Sequence, residues 1–280
     1  MIFAIKIERI FLSSIKVLFI GEIVGKSGVF VVKKILPRLK KKYNPDIVIA
    51  DGEGATGGFG IGKNHSIYLH KLGIDVITSG ERIYYKLDMV EHIQKASYIL
   101  RPTNYPYENP GRGWKFYKQE DLTVGVVNIM GQAGFPKVHL TNPYVLLPEI
   151  VKKISQTTNI IIVDFHASTT AEKNCLFYYM DGKVSAIIGS HTRAISADER
   201  ILKGGTAVIT DIGRTGSINS VGGMDPEIEL RKYLTQIPEY SKAAWDSLEL
   251  QGVIISIDRS SGKAESIERL RVPCKDKVNA

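Results

Sequence analysis

Cysteine is scarce in this sequence, since Cys175 and Cys274 are the only two among 280 residues. Two isolated cysteines provide neither a disulfide framework nor the paired spacing of a zinc site, which favours a reducing compartment. A long hydrophobic run is also missing. Lys6, Glu8 and Arg9 interrupt the apolar N-terminus, so no stretch is long enough to span a bilayer. The sequence therefore predicts a cytoplasmic protein without a membrane span.

Internal repeats, low-complexity segments and a flexible linker are lacking as well. Without a linker, a chain with 44% hydrophobic residues can bury one sizeable core. We therefore expect a single domain over residues 16–280, preceded by an N-terminal extension over residues 1–15.

Charge of one sign is in excess, with 37 basic against 29 acidic residues and a net charge of +8. This balance favours anionic ligands such as phosphates, but it is too diffuse to indicate specific nucleic-acid binding. Part of the excess is the run KKILPRLKKK over residues 33–42. We interpret this run as the solvated face of a helix.

Short runs of Ile and Val are followed by glycine-bearing loops and helical segments along most of the chain. Such runs occur over residues 16–20, 46–50 and 159–165. Apolar runs bounded by Gly, Asp or Ser are typical of strands buried on both faces, and helices between them indicate a layered α/β architecture. The tail over residues 252–272 alternates apolar and polar residues and turns at a Ser-Gly pair, which predicts a hairpin.

Five polar residues each follow a different apolar run, at the predicted carboxyl end of a strand. In open α/β sheets, ligands bind at this edge. Histidine and carboxylate side chains that converge there provide the nitrogen and oxygen donors of a transition-metal site. The five residues are Glu22, Glu53, Glu81, His166 and His191.

Several segments together resemble the YmdB-type bacterial metallophosphoesterases of the calcineurin-like superfamily. The resemblance implies a four-layer α/β/β/α sandwich with a two-metal site that hydrolyses phosphodiesters, cyclic nucleotides included. It also implies manganese or iron as the usual metals and a homo-oligomer. The segments are LFIGEIVGKSG, DGEGATGGFGI, VDFHASTTAEK, DGKVSAIIGSHTRAISAD and ITDIGRTG with GGMD.

The sequence departs from the family pattern at three ligands of the first metal. Glu22 replaces the Asp of the family's Gly-Asp motif. Gly54 replaces the last Asn of its Asn-Gly-Glu-Asn motif, and Arg193 replaces the second His of its His-Thr-His motif. Only Glu22 and a share of Glu53 remain, which is too few ligands for a metal site. A guanidinium can pair with a carboxylate as a fork. We therefore expect Arg193 to pair with Glu22 in place of the missing cation.

The ligands of the second metal are mostly retained. The resemblance assigns Glu53, His166 and His191 to it, with Glu81 in place of a neutral Asn. This set suits manganese, iron or zinc, and we expect one such ion per chain. The family's proton-donating His is here Arg82, which can contact phosphate but is a poor general acid because it stays protonated.

These substitutions leave alternatives open. The first is a metal-dependent phosphodiesterase with a remodelled, mononuclear centre and reduced or altered activity on a phosphate-containing small molecule such as a cyclic nucleotide. The second is a non-catalytic homologue that binds a phosphorylated ligand or a protein partner. The third, an α/β domain without a ligand site, requires the five strand-end residues to be accidental.

Two further segments carry weaker signals. The glycine-rich stretch over residues 54–63 ends in Lys63, but no Ser or Thr follows, so it does not match a phosphate-binding P-loop. The segment RPTNYPYENPGRGW over residues 101–114 resembles the family's Arg-Pro-Ala-Asn-Phe-Pro segment, which makes Asn104 a candidate to face the substrate.

Overall fold

The structure is a computed structural model that describes residues 14–275. Of the predicted N-terminal extension, residues 1–13 lie outside the described residues, and Ser14 already belongs to the first strand. The strands are β1 (Ser14–Ile20), β2 (Glu22–Ile23), β3 (Ile47–Asp51), β4 (Val76–Thr78), β5 (Trp114–Gln119), β6 (Leu122–Met130), β7 (Ile161–His166), β8 (Ala186–Ser190), β9 (Arg200–Ile201), β10 (Ala207–Ile209), β11 (Arg214–Ser217), β12 (Leu248–Asp258) and β13 (Ala264–Pro273). The helices are α1 (Gly25–Tyr43), α2 (Lys63–Lys71), α3 (Leu87–Lys95), α4 (Pro143–Ile154), α5 (Thr170–Met180) and α6 (Pro226–Thr235).

The strands form two mixed sheets. The seven-stranded sheet has the order β2-β11-β12-β1-β3-β4, and β13 also pairs with β12. The six-stranded sheet has the order β5-β6-β7-β8-β10-β9. Strands β1, β3 and β4 run parallel in the first sheet, as do β6, β7, β8 and β10 in the second. Parallel neighbours end at a common edge, so the residues that follow them are brought together.

Side-chain alternation along the strands creates a layered core. In β1, Val17 and Phe19 point into a core between the two sheets, whereas Leu18 and Ile20 pack on the other face beneath α1 to α3. A third core joins the second sheet to α4 and α5. Complete burial of a side chain such as Phe19 contributes about 1.5–3 kcal/mol. The predicted four-layer α/β/β/α sandwich is confirmed.

The basic run over residues 33–42 lies in α1, as predicted. Lys33 and Lys41 are exposed, while Ile35 and Leu36 are buried against the sheet. The predicted C-terminal hairpin is formed by β12 and β13. Within residues 14–275, no helix is both long and apolar enough to cross a bilayer.

Candidate metal centre

The carboxyl ends of strands from both sheets meet at one edge of the sandwich. Glu22 follows β1, Glu53 follows β3 and Glu81 follows β4 in the first sheet. In the second sheet, His166 is the last residue of β7 and His191 follows β8. The expected side chains are therefore supplied by separate strands to the same edge.

Three of these side chains converge. The Oε2 atom of Glu81 lies 2.7 Å from Nε2 of His166, and that nitrogen lies 3.1 Å from Nδ1 of His191. The remaining side of the triangle, from His191 Nδ1 to Glu81 Oε2, measures 3.7 Å. Ligands that share one ion at about 2.0–2.2 Å are separated by distances of this order. Glu81, His166 and His191 therefore fit a transition-metal ion with one oxygen and two nitrogen donors.

The buried imidazole of His166 is oriented from both sides. Its Nδ1 lies 3.2 Å from the Ser190 hydroxyl, which donates to Oδ1 of Asp164 at 2.7 Å. This relay leaves Nε2 directed at Glu81 and His191, as is usual for a metal-ligating histidine. On the facing side, a Cβ at Gly80 would lie only 2.2 Å from His166 Nε2. Only glycine at position 80 allows this approach.

The three donors shift one another's pKa values. Burial lowers the pKa of His166, but the hydrogen bond and charge of Glu81 outweigh it and raise this pKa to about 10. Burial likewise raises the pKa of Glu81, but its bond with His166 holds it well below the usual range. For His191, burial and the charge of His166 lower the pKa to about 3. The neutral His191 imidazole is the form that binds a metal ion.

Glu53 lies beside this group but makes different contacts. Its Oε2 accepts a hydrogen bond from the Gly80 amide at 2.7 Å, and its Oε1 accepts one from the Arg82 amide. Burial, followed by the negative charge of Glu81, raises the pKa of Glu53 to about 8. Glu53 thus fixes the loop that carries Glu81. Its role as a metal ligand stays a prediction.

Asp51 adds a buried oxygen without a partner. Its Oδ1 accepts a hydrogen bond from the Glu53 amide at 2.8 Å. Its Oδ2 has no hydrogen-bond partner among the described residues and lies 3.9 Å from His166 Nδ1. This orphaned carboxylate oxygen therefore lies by the ring nitrogen of His166 that is not one of the three converging donor atoms.

Arg193 and Glu22 form the ion pair that the sequence led us to expect. Glu22 Oε1 accepts from Nε of Arg193 at 2.9 Å and from Nη2 at 2.6 Å. The guanidinium also donates to the carbonyls of Gly58 at 2.7 Å and Gly222 at 3.1 Å. Glu22 is therefore neutralised by a fixed cation and lies outside the three-residue group.

Gly54 makes room for this ion pair. A Cβ at this position would lie 2.7 Å from Oε1 of Glu22 and 3.0 Å from Nη2 of Arg193. The space beside the Gly54 backbone, where the resemblance implies an asparagine ligand in the family, is occupied by the salt bridge.

Arg82 shares the Glu81 carboxylate with the two histidines. Its Nη2 lies 2.9 Å from Oε1 of Glu81, and its guanidinium carbon lies 5.2 Å from the centre of the Phe59 ring. An arginine has five N–H donors, so this pairing leaves donors for a phosphate oxygen. The Arg82 side chain is partly exposed at the mouth of the centre.

Asn104 does not line the cleft, contrary to the expectation that it faces a substrate. The residue is fully buried, and its amide donates to the carbonyls of Met130 and Thr141 at 2.8 and 3.1 Å. Its Oδ1 accepts from the Met130 amide at 3.0 Å. The side chain fastens the 101–114 segment to the end of β6.

Sequence reasoning missed residues that support the histidines. The Phe135 ring packs 4.9 Å from the His191 ring and 5.9 Å from that of His166, which shields both from water. Nζ of the buried Lys173 lies 3.1 Å from Oδ2 of Asp211. The same oxygen accepts a hydrogen bond from the Thr192 amide at 2.9 Å. That bond holds the loop in which His191 and Arg193 adopt positive φ angles of 102° and 60°.

Comparison with known proteins identifies the family. The model of the family described as YmdB-like protein matches residues 18–270. The chain belongs to the YmdB-like family. A 2′,3′-cyclic-nucleotide 2′-phosphodiesterase of Bacillus subtilis is 37% identical to it over 257 residues, which cover 92% of this chain and 97% of that protein.

Solved structures agree with this assignment. A phosphatase of Mycoplasma pneumoniae superposes with a TM-score of 0.86 at 34% identity and covers 93% of this YmdB-like chain and 94% of its own. A hypothetical protein of Thermus thermophilus superposes with a TM-score of 0.85 at 28% identity over 92% of this chain and 99% of its own. A 5′-nucleotidase of Staphylococcus aureus, with a TM-score of 0.62 and 14% identity, shares the fold alone.

Proposed function

We propose that this YmdB-like protein is a phosphodiesterase that depends on one metal ion per chain, held by Glu81, His166 and His191 with support from Glu53. The convergence of the three donor atoms within 3.7 Å carries the proposal. Manganese or iron suits these donors best, and zinc is also compatible with them. The family's first metal position is not retained, because the Glu22 carboxylate is already paired with Arg193.

The metal ion, when bound, supplies a Lewis acid that polarises a phosphoryl oxygen. The remaining contributions come from the chain itself. Arg82 offers N–H donors to the charge that develops on the phosphoryl oxygens. It does not readily protonate a leaving oxygen, because the guanidinium stays charged. Missing general acid catalysis costs roughly 10²–10⁴-fold in rate.

The expected substrate preference follows from that loss. Diesters with activated leaving groups, such as bis(p-nitrophenyl) phosphate, need little protonation and should be cleaved weakly but measurably. Diesters with alkoxide leaving groups, which include 2′,3′-cyclic nucleotides, should be cleaved much more slowly. The relative of Bacillus subtilis carries the name of a 2′,3′-cyclic-nucleotide phosphodiesterase, which makes cyclic nucleotides the first natural substrates to try.

Metal content and turnover, measured on the same samples, test the proposal. Protein reconstituted with manganese should contain one ion per chain, and a chelator should abolish turnover of bis(p-nitrophenyl) phosphate. The His166→Ala, His191→Ala double variant should lose the ion. His139→Ala, at an exposed histidine that is not one of the three converging donors, should retain it. Two ions per chain, or none, would contradict the single-metal centre.

The second function, non-catalytic binding of a phosphorylated ligand, is favoured by the ion pair between Arg82 and Glu81 inside the centre. This second function predicts that metal-loaded protein binds inorganic phosphate but hydrolyses neither bis(p-nitrophenyl) phosphate nor 2′,3′-cyclic nucleotides. Efficient hydrolysis of 2′,3′-cyclic nucleotides would refute this second function and the predicted slow cleavage alike.

A further inference from the structure

A groove of about 880 Å³ lies next to the candidate centre, between the 101–114 segment, the start of β5 and helix α4. Its volume falls within the roughly 300–1,000 Å³ that is typical of small-molecule sites. The proposed chemistry at the centre does not use this groove. Three cationic residues and three aromatic residues line it: Arg101, Arg112, Lys153, Tyr105, Tyr107 and Trp114.

The groove carries a surplus of positive charge. Arg112 and Lys153 are exposed, and neither has a carboxylate partner within the described residues 14–275. Arg101 is only 5% exposed, and its Nε atom has no hydrogen-bond partner among those residues. Glu108, which is exposed, is the carboxylate in the lining. Three cations against one carboxylate favour an anionic ligand.

The aromatic residues of the groove are accessible. Tyr107 is 94% exposed, so its ring is open to stacking by a ligand. Trp114 is half-buried at the start of β5, with its ring 5.5 Å from that of Phe116. Cations that follow a backbone, combined with aromatic rings on which bases stack, are the recurrent chemistry of single-stranded nucleic-acid binding.

Tyr105 connects the groove to the candidate centre. Its side chain lines the groove, and its hydroxyl donates to the backbone carbonyl of Glu81 at 3.3 Å. The Tyr105 side chain thus lies between the groove and the backbone of Glu81.

We infer that the groove binds a single-stranded oligonucleotide, with bases on Tyr107 and Trp114 and phosphates at Arg112 and Lys153. Oligonucleotide diesters then join 2′,3′-cyclic nucleotides among the substrates that the centre cleaves slowly. This last step rests on the proposed function, whereas binding in the groove does not.

Intrinsic fluorescence measures the binding directly. The chain has two tryptophans, so Trp245→Phe leaves Trp114 as the reporter. Metal-free protein with this change should show saturable quenching by an adenosine tetranucleotide that carries no cyclic phosphate. Tyr107→Ala should raise the Kd about tenfold, because stacking on one aromatic ring is lost.

A charge-matched pair of variants identifies the site. Arg112→Gln with Lys153→Gln should weaken binding and reduce the slope of log K against log salt by about 1.4, since about 0.7 is expected for each lost phosphate contact on a single strand. Lys33→Gln with Lys41→Gln removes the same charge from the exposed face of α1 and should change neither quantity.

Three results would overturn the inference: no saturable quenching, equal weakening by both double variants, or equal affinity for inorganic phosphate and the tetranucleotide. The first two exclude a strand site in the groove, and the third reduces it to a small-anion site. Because the protein is metal-free and nothing is cleaved, failure here leaves the proposed phosphodiesterase standing. Absent turnover would equally leave this binding result intact.

Discussion

Replacement of Arg193 by methionine removes the guanidinium that neutralises Glu22. Glu22 is only 2% exposed and Arg193 only 12%, so neither charge is well solvated. The guanidinium makes two hydrogen bonds to Oε1 of Glu22 and one each to the carbonyls of Gly58 and Gly222. Breaking a buried pair by removing one partner costs about 3–5 kcal/mol, because the other charge is left uncompensated. We expect Arg193→Met to lower the free energy of unfolding by that amount.

Thermal unfolding should report this loss. With an unfolding entropy of about 2.1 cal/mol/K per residue, a chain of this length loses about 5–9 °C in Tm for 3–5 kcal/mol. Urea unfolding of metal-free protein, followed by circular dichroism, gives the free energy itself. Metal-free conditions matter, because a cation bound at the unpaired Glu22 carboxylate would mask part of the loss.

Two controls separate charge from packing. Glu22→Gln combined with Arg193→Met removes both charges and should recover much of the stability, since deleting both members of a buried pair is often tolerated. Arg231→Met breaks the exposed pair with Glu239, whose side chains are 51% and 41% accessible, and should cost much less stability than Arg193→Met because solvent screens both charges. The charge-replacement account fails if Arg193→Met costs no more than Arg231→Met, or if the double variant is less stable than the single one.

Two further outcomes are expected. Glu81→Asn with Arg82→His restores a neutral amide and a proton donor, and should raise kcat/KM for 2′,3′-cyclic nucleotides more than for bis(p-nitrophenyl) phosphate; an unchanged ratio would count against the role given to Arg82. Lys173→Met leaves Asp211 buried without its cation, so it should cost about 3–5 kcal/mol in unfolding free energy and weaken metal binding through the loop that carries His191. Unchanged stability together with unchanged metal affinity would exclude that supporting role.

The sequence predicted most of the candidate centre because the ends of the strands can be recognised from the residue pattern. Val and Ile runs that stop at Gly, Asp or His locate the edge of each sheet, and the parallel topology then brings Glu81, His166 and His191 together. The ion pair between Glu22 and Arg193 could also be predicted. An arginine that replaces a metal ligand lies next to the retained carboxylate, which is then its most favourable partner. Local pattern located the strand ends, whereas the expectation for Arg193 and Glu22 came from the resemblance to the family's motifs.

Other features depend on contacts that no local pattern reports. Asn104 sits in a turn-rich segment that suggests exposure, yet it is buried because the backbone of Met130 lies against its amide. Lys173 belongs to the polar stretch TAEKN, which reads as a solvated helix start, and only the position of Asp211 on another strand end explains its burial. The groove beside the centre likewise unites Arg112 with Lys153, 41 residues apart by number, through tertiary packing.

The residues at positions 22, 54 and 193 form one arrangement rather than three separate losses. Any side chain at position 54 would approach the Glu22 carboxylate to 2.7 Å and the Arg193 guanidinium to 3.0 Å, so an asparagine ligand and this ion pair cannot occupy the space together. Glycine at 54 is therefore the condition for Arg193 to reach Glu22. A fixed cation that also binds two backbone carbonyls holds the loops around it without any dissolved ion. On the proposed single-metal centre, this ion pair stands where the first metal ion would lie, and the Arg193 guanidinium supplies the positive charge beside Glu22.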